Sequence, residues 1–346
     1  MKTMKLGKTD LRVSRIGMGG IPILRPSENE AIKVIQRALE LGVNFIDTSL
    51  GYGDSEVRIG KAIADRRDEV IIATKGGWQD KKMVLEHVES SLKRLQTDYI
   101  DLWQLANVST FEDYGRLFEP NGAMEGVQEA LRVGKIRHIG ISSHSLDVAR
   151  KAASSSHFET ILFSFNFIAR EPAEELIPLA RKHDIGFIAM KPFAGGVLQD
   201  ANLSIKYLLQ FDNVLPVPGI EKVEEIEEIV NIVNGFMGLT PQEKEKIMDI
   251  RTEIGIRICR RCGYCQPCSQ KVRIIPLVNM HILWKLWPLE LLLPESNTAA
   301  SKGMASVVEA GRGCIQCGEC EEKCPYHLPI REMITENLEF YESIIQ

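Results

Sequence analysis

The chain has 346 residues, of which 44% are hydrophobic and 26% are charged, and its formal net charge is -5. This length suits one large domain with a smaller module, and the composition is typical of a globular protein. The slightly acidic charge gives no electrostatic reason to expect nucleic-acid binding. We expect no signal peptide, because the start MKTMKLGKTDLRVS is too polar. The most apolar stretch, residues 274–293, contains charged residues and prolines, so we expect no membrane span there.

The first predicted element is a β-hairpin. Two short apolar segments, residues 4–6 and 11–13, flank the turn sequence Gly-Lys-Thr-Asp. We expect this hairpin to close the floor of the domain that follows.

From residue 14 to residue 234, short apolar runs alternate with amphipathic segments. The apolar runs predict eight strands, at residues 14–18, 44–47, 70–74, 99–105, 136–142, 161–166, 185–190 and 214–217. The amphipathic segments predict eight helices, at residues 28–41, 56–65, 82–95, 124–133, 146–154, 173–183, 203–210 and 223–233. Eight strand–helix pairs in about 220 residues predict a (β/α)8 TIM barrel. A doubly wound sheet is the alternative, but Gly-Gly-Ile-Pro follows the first strand where that fold carries GxGxxG.

All eight cysteines lie in the last quarter of the chain, in two blocks. The first block has two residues between neighbours: Cys259, Cys262, Cys265 and Cys268. The second, Cys314, Cys317, Cys320 and Cys324, is followed at once by Pro325. The second spacing is the bacterial ferredoxin run, and eight thiolates suffice for two [4Fe–4S] clusters. Disulfides and a pair of four-cysteine zinc sites are the alternatives, but close CxxC spacing without an export signal favours metal in a reducing cytoplasm.

In a two-cluster arrangement, the fourth cysteine of each block ligates the cluster of the other block. Cys259, Cys262 and Cys265 would then share a cluster with Cys324, and Cys314, Cys317 and Cys320 would share one with Cys268. The connection between the blocks predicts two helices, at residues 278–293 and 299–309, so we expect a small, mostly helical ferredoxin-like domain. A charged amphipathic helix at residues 240–253 joins it to the barrel. We therefore divide the chain into a barrel at 1–254 and an iron–sulfur domain at 255–346.

In such a barrel, functional groups lie where strands end at the carboxyl side. The polar residues and glycines at these positions are Gly19, Gly20, Asp47, Tyr52, Lys75, Asn107, Ser142, Ser143, Asn166, Lys191 and Gly219. Asp47, Tyr52 and Lys75 are chemically compatible as a catalytic trio. An ammonium beside a tyrosine stabilises phenolate and lowers its pKa, while the carboxylate fixes the lysine. The result is a general acid that can protonate a carbonyl as hydride arrives.

Backbone N–H groups and helix dipoles near the last two strands can bind a dinucleotide pyrophosphate. The candidate cofactor residues at the strand ends are Gly20, Ser142, Ser143 and Asn166. Those after the seventh and eighth strands are Lys191, Pro192, Phe193, Gly195, Gly219 and Lys222.

Several motifs resemble the aldo-keto reductases across residues 4–235. They are MKLG at 4–7, GMG at 17–19, FIDTS at 45–49, GYGDSE at 51–56, IATK at 72–75, GIS at 140–142 and PVPG at 216–219. The cysteine tail resembles the subgroup of that family with a C-terminal two-cluster ferredoxin-like domain. The resemblance implies a (β/α)8 barrel, carbonyl reduction with NADPH, and three of the four catalytic positions at Asp47, Tyr52 and Lys75.

The chain departs from the family pattern in three places. Where the family carries a catalytic histidine in a motif like QLHN, this chain reads Gln-Leu-Ala106-Asn. Where the family commonly has an arginine for the 2′-phosphate, this chain has Glu221 beside Lys222, so NADPH and NADH both stay open as cofactors. The family's nicotinamide-contacting Ser-Asn pair is Ser-Ser here, and its glutamine on the sixth strand is Leu162.

Three functions follow. The first is an NAD(P)H-dependent oxidoreductase for a carbonyl or alcohol substrate, with clusters for electron transfer or structure. The second is an electron-transfer protein whose barrel has lost reductase activity, which Ala106 favours. The third is a scaffold that docks a ferredoxin or flavoprotein redox partner.

Overall fold

The computed structural model describes residues 1–345, without the side chains of Leu286, Leu289 and Ala299. The chain forms two compact units. One comprises Met1–Phe193 and Asp200–Leu239, and the other comprises Ala194–Gln199 and the residues from Thr240 onward. The helix Pro241–Ile254 therefore groups with the second unit, whereas we predicted that the barrel extends to residue 254.

The first unit contains ten strands. They are β1 (Thr3–Lys5), β2 (Arg12–Ser14), β3 (Met18–Gly19), β4 (Phe45–Asp47), β5 (Ile71–Gly76), β6 (Ile100–Leu105), β7 (Ile136–Ser143), β8 (Thr160–Ser164), β9 (Gly186–Met190) and β10 (Val214–Val217). Strands β3 to β10 form one parallel sheet in sequence order, and a parallel bridge between Gly19 and Gly219 brings its two edges together. The predicted (β/α)8 barrel is confirmed as a nearly closed ring of eight strands. All carboxyl ends lie on one rim, here called the barrel mouth.

The first barrel strand is shorter than predicted. We placed it at residues 14–18, but Ser14 ends the second strand of the hairpin and pairs with Thr3. The Ser14 hydroxyl donates to the Ile16 carbonyl at 2.6 Å, which turns the chain before β3 begins at Met18.

The β1–β2 hairpin packs against the interior of the barrel. Leu6 and Val13 are fully buried in one cluster with residues of the barrel strands. At the turn, Gly7 has a φ of 55°, and a Cβ there would lie 2.1 Å from the backbone nitrogen of Gly186, the first residue of β9. The hairpin therefore closes the amino end of the barrel and leaves the mouth for ligands.

Nine helices surround these strands in the described part of the first unit. They are α1 (Glu28–Glu40), α2 (Ser55–Ala62), α3 (Lys81–Leu95), α4 (Phe111–Arg116), α5 (Ala123–Arg132), α6 (Leu146–Ala153), α7 (Leu176–Lys182), α8 (Ala201–Leu209) and α9 (Val223–Asn234). Helix α4 was not predicted, since its six residues are too few to show a helical period. It begins where Thr110 accepts a hydrogen bond from the backbone of Asp113.

A charged cluster joins the hairpin to the amino end of β7. His138 Nε2 lies 2.7 Å from Asp10 and its Nδ1 lies 2.9 Å from Glu159. Burial alone would lower the pKa of His138, but the hydrogen bonds and charges of Glu159 and Asp10 outweigh it and raise that pKa above 6.5. The protonated ring is therefore stabilised by folding.

This shift predicts a pH-dependent contribution to stability. A raised pKa stabilises the fold fully below about pH 6.5, the unfolded value, and the stabilisation is lost as the pH rises through the folded pKa. The difference in unfolding free energy between wild type and His138→Gln should therefore shrink from pH 6 upward. Urea unfolding at several pH values measures it, with His183→Gln as the control for loss of an exposed histidine. A difference that grows with pH would contradict the assignment.

The second unit is mainly helical. Its α-helices are α10 (Pro241–Ile254), α11 (Ile274–Val278), α12 (Met280–Leu286), α13 (Ala299–Arg312), α14 (Glu319–Glu322) and α15 (Ile330–Ile345). The run predicted as one helix at 278–293 is divided, because Asn279 ends α11 and the chain turns extended at Trp287 before Pro288. The second predicted helix corresponds to α13. Among residues 1–345, no helix has the length and apolarity needed to cross a membrane.

Candidate functional site

Lys75 is fixed by two hydrogen bonds at the barrel mouth. Its ammonium donates to Asp47 Oδ2 at 2.7 Å and to the carbonyl of Thr48 at 2.7 Å. Asp47 ends β4, Lys75 lies near the end of β5, and the two strands pair in parallel. Lys75 is 6% exposed and Asp47 is 5% exposed, so this ion pair is shielded from water.

Tyr52 lies beside the same ammonium. The Lys75 Nζ is 4.9 Å from the centre of the Tyr52 ring, so the phenol and the ammonium are neighbours. Burial lowers the pKa of Lys75, but Asp47 and Tyr52 together outweigh it, and the pKa rises above 10.5. Lys75 thus stays an ammonium, with Asp47 on one side and the half-buried phenol on the other.

Gln104 supports this trio and was not predicted. Its Nε2 donates to Asp47 Oδ1 at 2.8 Å, and the residue is fully buried. Both carboxylate oxygens of Asp47 therefore accept a hydrogen bond, one from Gln104 and one from Lys75. The strand period offered a signal, because Gln104 lies two residues before Ala106 and on the same face of β6.

Ala106 follows β6 at the mouth and presents only a methyl group there. Its backbone carbonyl accepts from Trp78 Nε1 at 2.8 Å, and its N–H donates to Gly76. The next residue, Asn107, has a φ of 56°, a left-handed conformation that asparagine tolerates better than most residues. The missing histidine therefore leaves no side-chain donor at position 106.

A second hydrogen-bond network contains His144, which the sequence analysis did not select. His144 Nδ1 lies 2.9 Å from Asn107 Oδ1, and His144 Nε2 lies 2.9 Å from Lys191 Nζ. Ser109 Oγ also donates to Asn107 Oδ1 at 3.1 Å. Sequence separations of 37 and 47 residues gave no local pattern from which these contacts could be found.

The predicted serine pair is buried at the end of β7. Ser142 Oγ accepts from the Asn107 backbone at 2.8 Å, while Ser143 Oγ accepts from the Ser145 backbone at 3.1 Å. Leu162, where the family has glutamine, is packed in the barrel core. Position 162 therefore offers no polar contact to a nicotinamide.

Asn166 organises the loop after β8. Its Oδ1 accepts from the backbone of Ile168 at 2.9 Å and of Ala169 at 2.8 Å, and its Nδ2 donates to the Lys191 carbonyl at 2.9 Å. These bonds connect the sixth and seventh strand ends. A direct contact of Asn166 with cofactor stays a prediction.

The predicted glycines lie where a side chain would collide with a neighbour. A Cβ on Gly20 would be 2.8 Å from Ser55 Oγ, and one on Gly219 would be 2.5 Å from Pro22 Cγ. Gly195 belongs to the second unit, where a Cβ would meet Ile282 at 2.4 Å. In the adjoining loop, Pro192 is buried and Phe193 half-buried.

The loop after β10 carries carboxylates, whereas a phosphate site needs cations or free N–H donors. Glu221 forms an ion pair with Arg25 at 2.6 Å, and both side chains are partly exposed. The carboxylate of Glu225 accepts from the backbone N–H groups of Glu221 at 2.9 Å and Lys222 at 3.2 Å. The first N–H groups before α9 are therefore already bonded to a carboxylate.

The eight cysteines surround two cavities in the second unit, and none forms a disulfide. The first thiol cavity has a volume of about 20 Å³ and is lined by Cys259, Cys262, Cys265 and Cys324. The second thiol cavity also has a volume of about 20 Å³ and is lined by Cys265, Cys268, Cys314, Cys317 and Cys320. Within the described residues, no three Cys, His, Asp or Glu side chains are placed to hold a single metal ion. The thiols therefore line two small cavities, and Cys265 lines both.

Burial raises the pKa of several of these thiols. Desolvation and the neighbouring Cys259 and Cys262 raise the pKa of Cys265 to about 12. Desolvation and the adjacent Glu321 raise the pKa of Cys320 to about 11. A metal that binds these sulfurs must therefore displace their protons.

The family model described as "Aldo/keto reductase family" matches residues 15–204, more than half of the chain. The chain belongs to the aldo/keto reductase family. It is an oxidoreductase of the aldo-keto reductase kind. The matched segment contains Asp47, Tyr52, Lys75 and Ala106, whereas all eight cysteines follow it.

Individual relatives of this family agree with the assignment. The chain is 36% identical over 217 residues to the uncharacterized oxidoreductase YqkF of Bacillus subtilis, covering 59% of this chain and 68% of that protein. The holo form of aldo-keto reductase AKR11C1 from Bacillus halodurans superposes with a TM-score of 0.63 at 28% identity, covering 72% of this chain and 96% of that one. An aldo/keto reductase from Klebsiella pneumoniae in complex with NADP and acetate shares the fold, with a TM-score of 0.63 at 22% identity over 72% of this chain and 95% of that one.

Proposed function

We propose that this protein is an NAD(P)H-dependent oxidoreductase that reduces a carbonyl group or oxidises the corresponding alcohol. The observation that carries the proposal is the buried Lys75 ammonium, held by Asp47 at 2.7 Å and lying 4.9 Å from the centre of the Tyr52 ring. A phenol beside a fixed ammonium is a proton donor suited to a carbonyl oxygen.

In this mechanism the chain supplies the proton and the electrostatic support. A reduced nicotinamide, when bound, would supply hydride to the carbonyl carbon. Tyr52 would give its hydroxyl proton to the carbonyl oxygen. The phenolate that remains is stabilised by Lys75, which Asp47 and Gln104 hold in place without reorganisation. In the alcohol direction the same phenolate accepts the proton.

Residues on several strand ends would hold the nicotinamide cofactor. Ser142 and Ser143 lie at the end of β7, and Gly20 and Gly219 lie in the loops after β3 and β10. The Klebsiella pneumoniae protein of the same fold is complexed with NADP, which supports NADP(H) as a cofactor class for this chain.

The acidic loop after β10 predicts that the protein discriminates weakly between NADPH and NADH, with a preference for NADH. Glu221 would repel a 2′-phosphate, although Arg25 and Lys222 reduce that repulsion. Glu221→Gln should therefore tighten NADPH binding by about tenfold, about 1.4 kcal/mol, and change NADH binding little. Nucleotide fluorescence titration measures both constants, with Glu228→Gln, exposed on α9, as the control. A wild-type protein that binds NADPH much more tightly than NADH would contradict this prediction.

We further propose that the thiol cavities hold two [4Fe–4S] clusters. Cys259, Cys262, Cys265 and Cys324 would ligate one, and Cys268, Cys314, Cys317 and Cys320 the other. The grouping of these thiols around two cavities supports the proposal. Oxygen-sensitive clusters also favour a cytoplasmic location.

The clusters would serve electron transfer or structure. Hydride carries two electrons and a cluster usually carries one, so exchange between nicotinamide and cluster needs a mediator such as a flavin. A flavoprotein partner would fill that role, because the sequence has no recognisable flavin motif. A ferredoxin partner would exchange single electrons with the clusters.

One preparation tests the whole proposal. Protein purified without oxygen should contain iron and sulfide and should oxidise NADH or NADPH when a panel of aldehydes and ketones is supplied. Stoichiometric zinc without sulfide would refute the clusters. Absence of nucleotide oxidation with every carbonyl compound would refute the reductase.

Ala106 favours a second candidate function. Without the usual catalytic histidine, the barrel would be an inactive remnant in an electron-transfer or scaffold protein. Reversible reduction of the clusters, with no carbonyl-dependent nucleotide oxidation, is the result expected for that function.

A further inference from the structure

We propose that Lys191, held by His144 at the barrel mouth, binds an anionic group on the substrate, so that the enzyme prefers carbonyl compounds bearing a carboxylate. The inference rests on the proposed reductase function and names its substrate class. Lys191, which the sequence suggested as a cofactor contact, would then bind the substrate.

The hydrogen-bond partners determine the protonation of His144. Asn107 Oδ1 can only accept, and it already accepts from Ser109, so the proton on the His144 ring lies on Nδ1. The Nε2 atom of the neutral ring is then an acceptor, and the ammonium of Lys191 donates to it at 2.9 Å. His144 thus supplies no donor toward Lys191 and instead positions its charge.

The backbone of Lys191 is fixed as well as its ammonium. Its φ is 59°, a left-handed conformation that an unbranched non-glycine residue adopts only when its surroundings hold it. Asn166 supplies that hold, because its Nδ2 donates to the Lys191 carbonyl at 2.9 Å. A flexible lysine is thereby ordered before a ligand binds, which reduces the entropy cost of binding.

Strand topology places this cation opposite the catalytic trio. In the ring of β3 to β10, Lys75 lies on the third strand and Lys191 follows the seventh, four strands away. The network from Lys191 through His144 reaches Asn107 at the end of the fourth strand, next to Ala106. Hydrogen bonds therefore connect the Lys191 ammonium to the loop that carries Ala106, where the usual histidine is absent.

This placement compensates for Ala106. With Tyr52 as its only side-chain donor from the trio, a carbonyl oxygen has one contact to fix its position. A carboxylate at the far end of the substrate, bound by Lys191, would supply the second anchor and orient the carbonyl toward Tyr52. Neutral aldehydes have no group for this anchor and should be poor substrates.

The pyrophosphate of the cofactor is the competing anion. It would bind Lys191 equally with every substrate, whereas a substrate carboxylate would make Lys191 matter only for anionic compounds. The two sources are separated by the ratio of activities on a matched pair of aldehydes, in which effects on cofactor binding cancel.

The experiment compares 4-formylbenzoate with 4-formylbenzamide, which differ in charge but not in shape. Wild type should favour the carboxylate in kcat/KM. Lys191→Gln should lower that ratio about tenfold, mainly through KM for the carboxylate, because one hydrogen bond between charged groups is lost. His144→Phe should lower it less, and His144→Gln should restore part of it by offering an acceptor. The exposed Lys93→Gln on α3 is the matched control and should leave the ratio unchanged.

Calorimetric binding of both aldehydes to the full chain, with NADH and NADPH titrated in parallel, gives a readout independent of turnover. Loss of carboxylate binding in Lys191→Gln supports the inference even if no turnover occurs, in which case only the reductase proposal fails. Equal losses for both aldehydes, or a loss of nucleotide binding with an unchanged aldehyde ratio, would overturn the inference.

Discussion

Tyr52→Phe should lower kcat for carbonyl reduction by at least about a hundredfold, because positioned general acids contribute roughly 10²–10⁴ in rate. The substitution removes only the hydroxyl and leaves the ring 4.9 Å from the Lys75 ammonium. Substrate and cofactor affinities should change little, so the loss should appear in kcat. The measurement is steady-state nucleotide oxidation with several aldehydes.

Tyr99→Phe is the matched control. Tyr99 precedes β6 at the amino end of the barrel, where its ring contacts Arg67 and Arg137. Its hydroxyl bonds Asp68 far in the fold from the mouth, so its removal should leave kcat unchanged. If wild type reduces simple aldehydes quickly and Tyr52→Phe does so at the same rate, the Tyr52 mechanism is wrong.

Ala106→His is expected to act in the opposite direction. It would restore a donor beside the carbonyl oxygen, and one such donor is worth about 3 kcal/mol, or roughly a hundredfold in rate. Neutral aldehydes should gain most, because they have no other anchor. If wild type and variant are both inactive with every carbonyl compound, the electron-transfer or scaffold function becomes the better account.

The sequence predicted the catalytic trio because strand ends in a parallel barrel share one rim. Once the apolar runs defined β4 and β5, Asp47 and Lys75 had to lie on neighbouring strands at that rim. The hydrogen bonds of His144 and Gln104 could not be predicted in the same way. They depend on strand register and on side-chain directions, which a single sequence does not specify.

Predictions from the sequence are weakest where the local pattern does not determine the tertiary contacts. The helix at 241–254 has a charged amphipathic pattern that identifies a helix but not its neighbours, and it groups with the second unit. The pairing of Glu221 with Arg25 joins residues almost two hundred positions apart, and only the return of β10 to β3 brings them together. Sequence reasoning named Glu221 but had no basis for naming its partner.

Cysteine spacing predicts which thiols share a cluster, and double substitutions can test the predicted exchange of ligands between the blocks. Wild type should contain about eight irons and eight sulfides per chain. If Cys268 and Cys317 ligate the same cluster, Cys268→Ala with Cys317→Ser removes two ligands from that cluster. About four irons should then remain. Cys262→Ser with Cys268→Ala would instead damage both clusters.

The two double variants give opposite results if each block holds its own cluster. Cys262 and Cys268 would then share a cluster, so their joint loss would leave about four irons, whereas loss of Cys268 and Cys317 would damage both. The structure favours exchange, because Cys324 lines the first thiol cavity and Cys268 lines the second. Gln316→Ala, beside Cys317 and exposed, is the control and should keep all eight irons. Iron and sulfide analysis of protein prepared without oxygen decides between the arrangements, and four irons in the Cys262–Cys268 variant would refute the exchange.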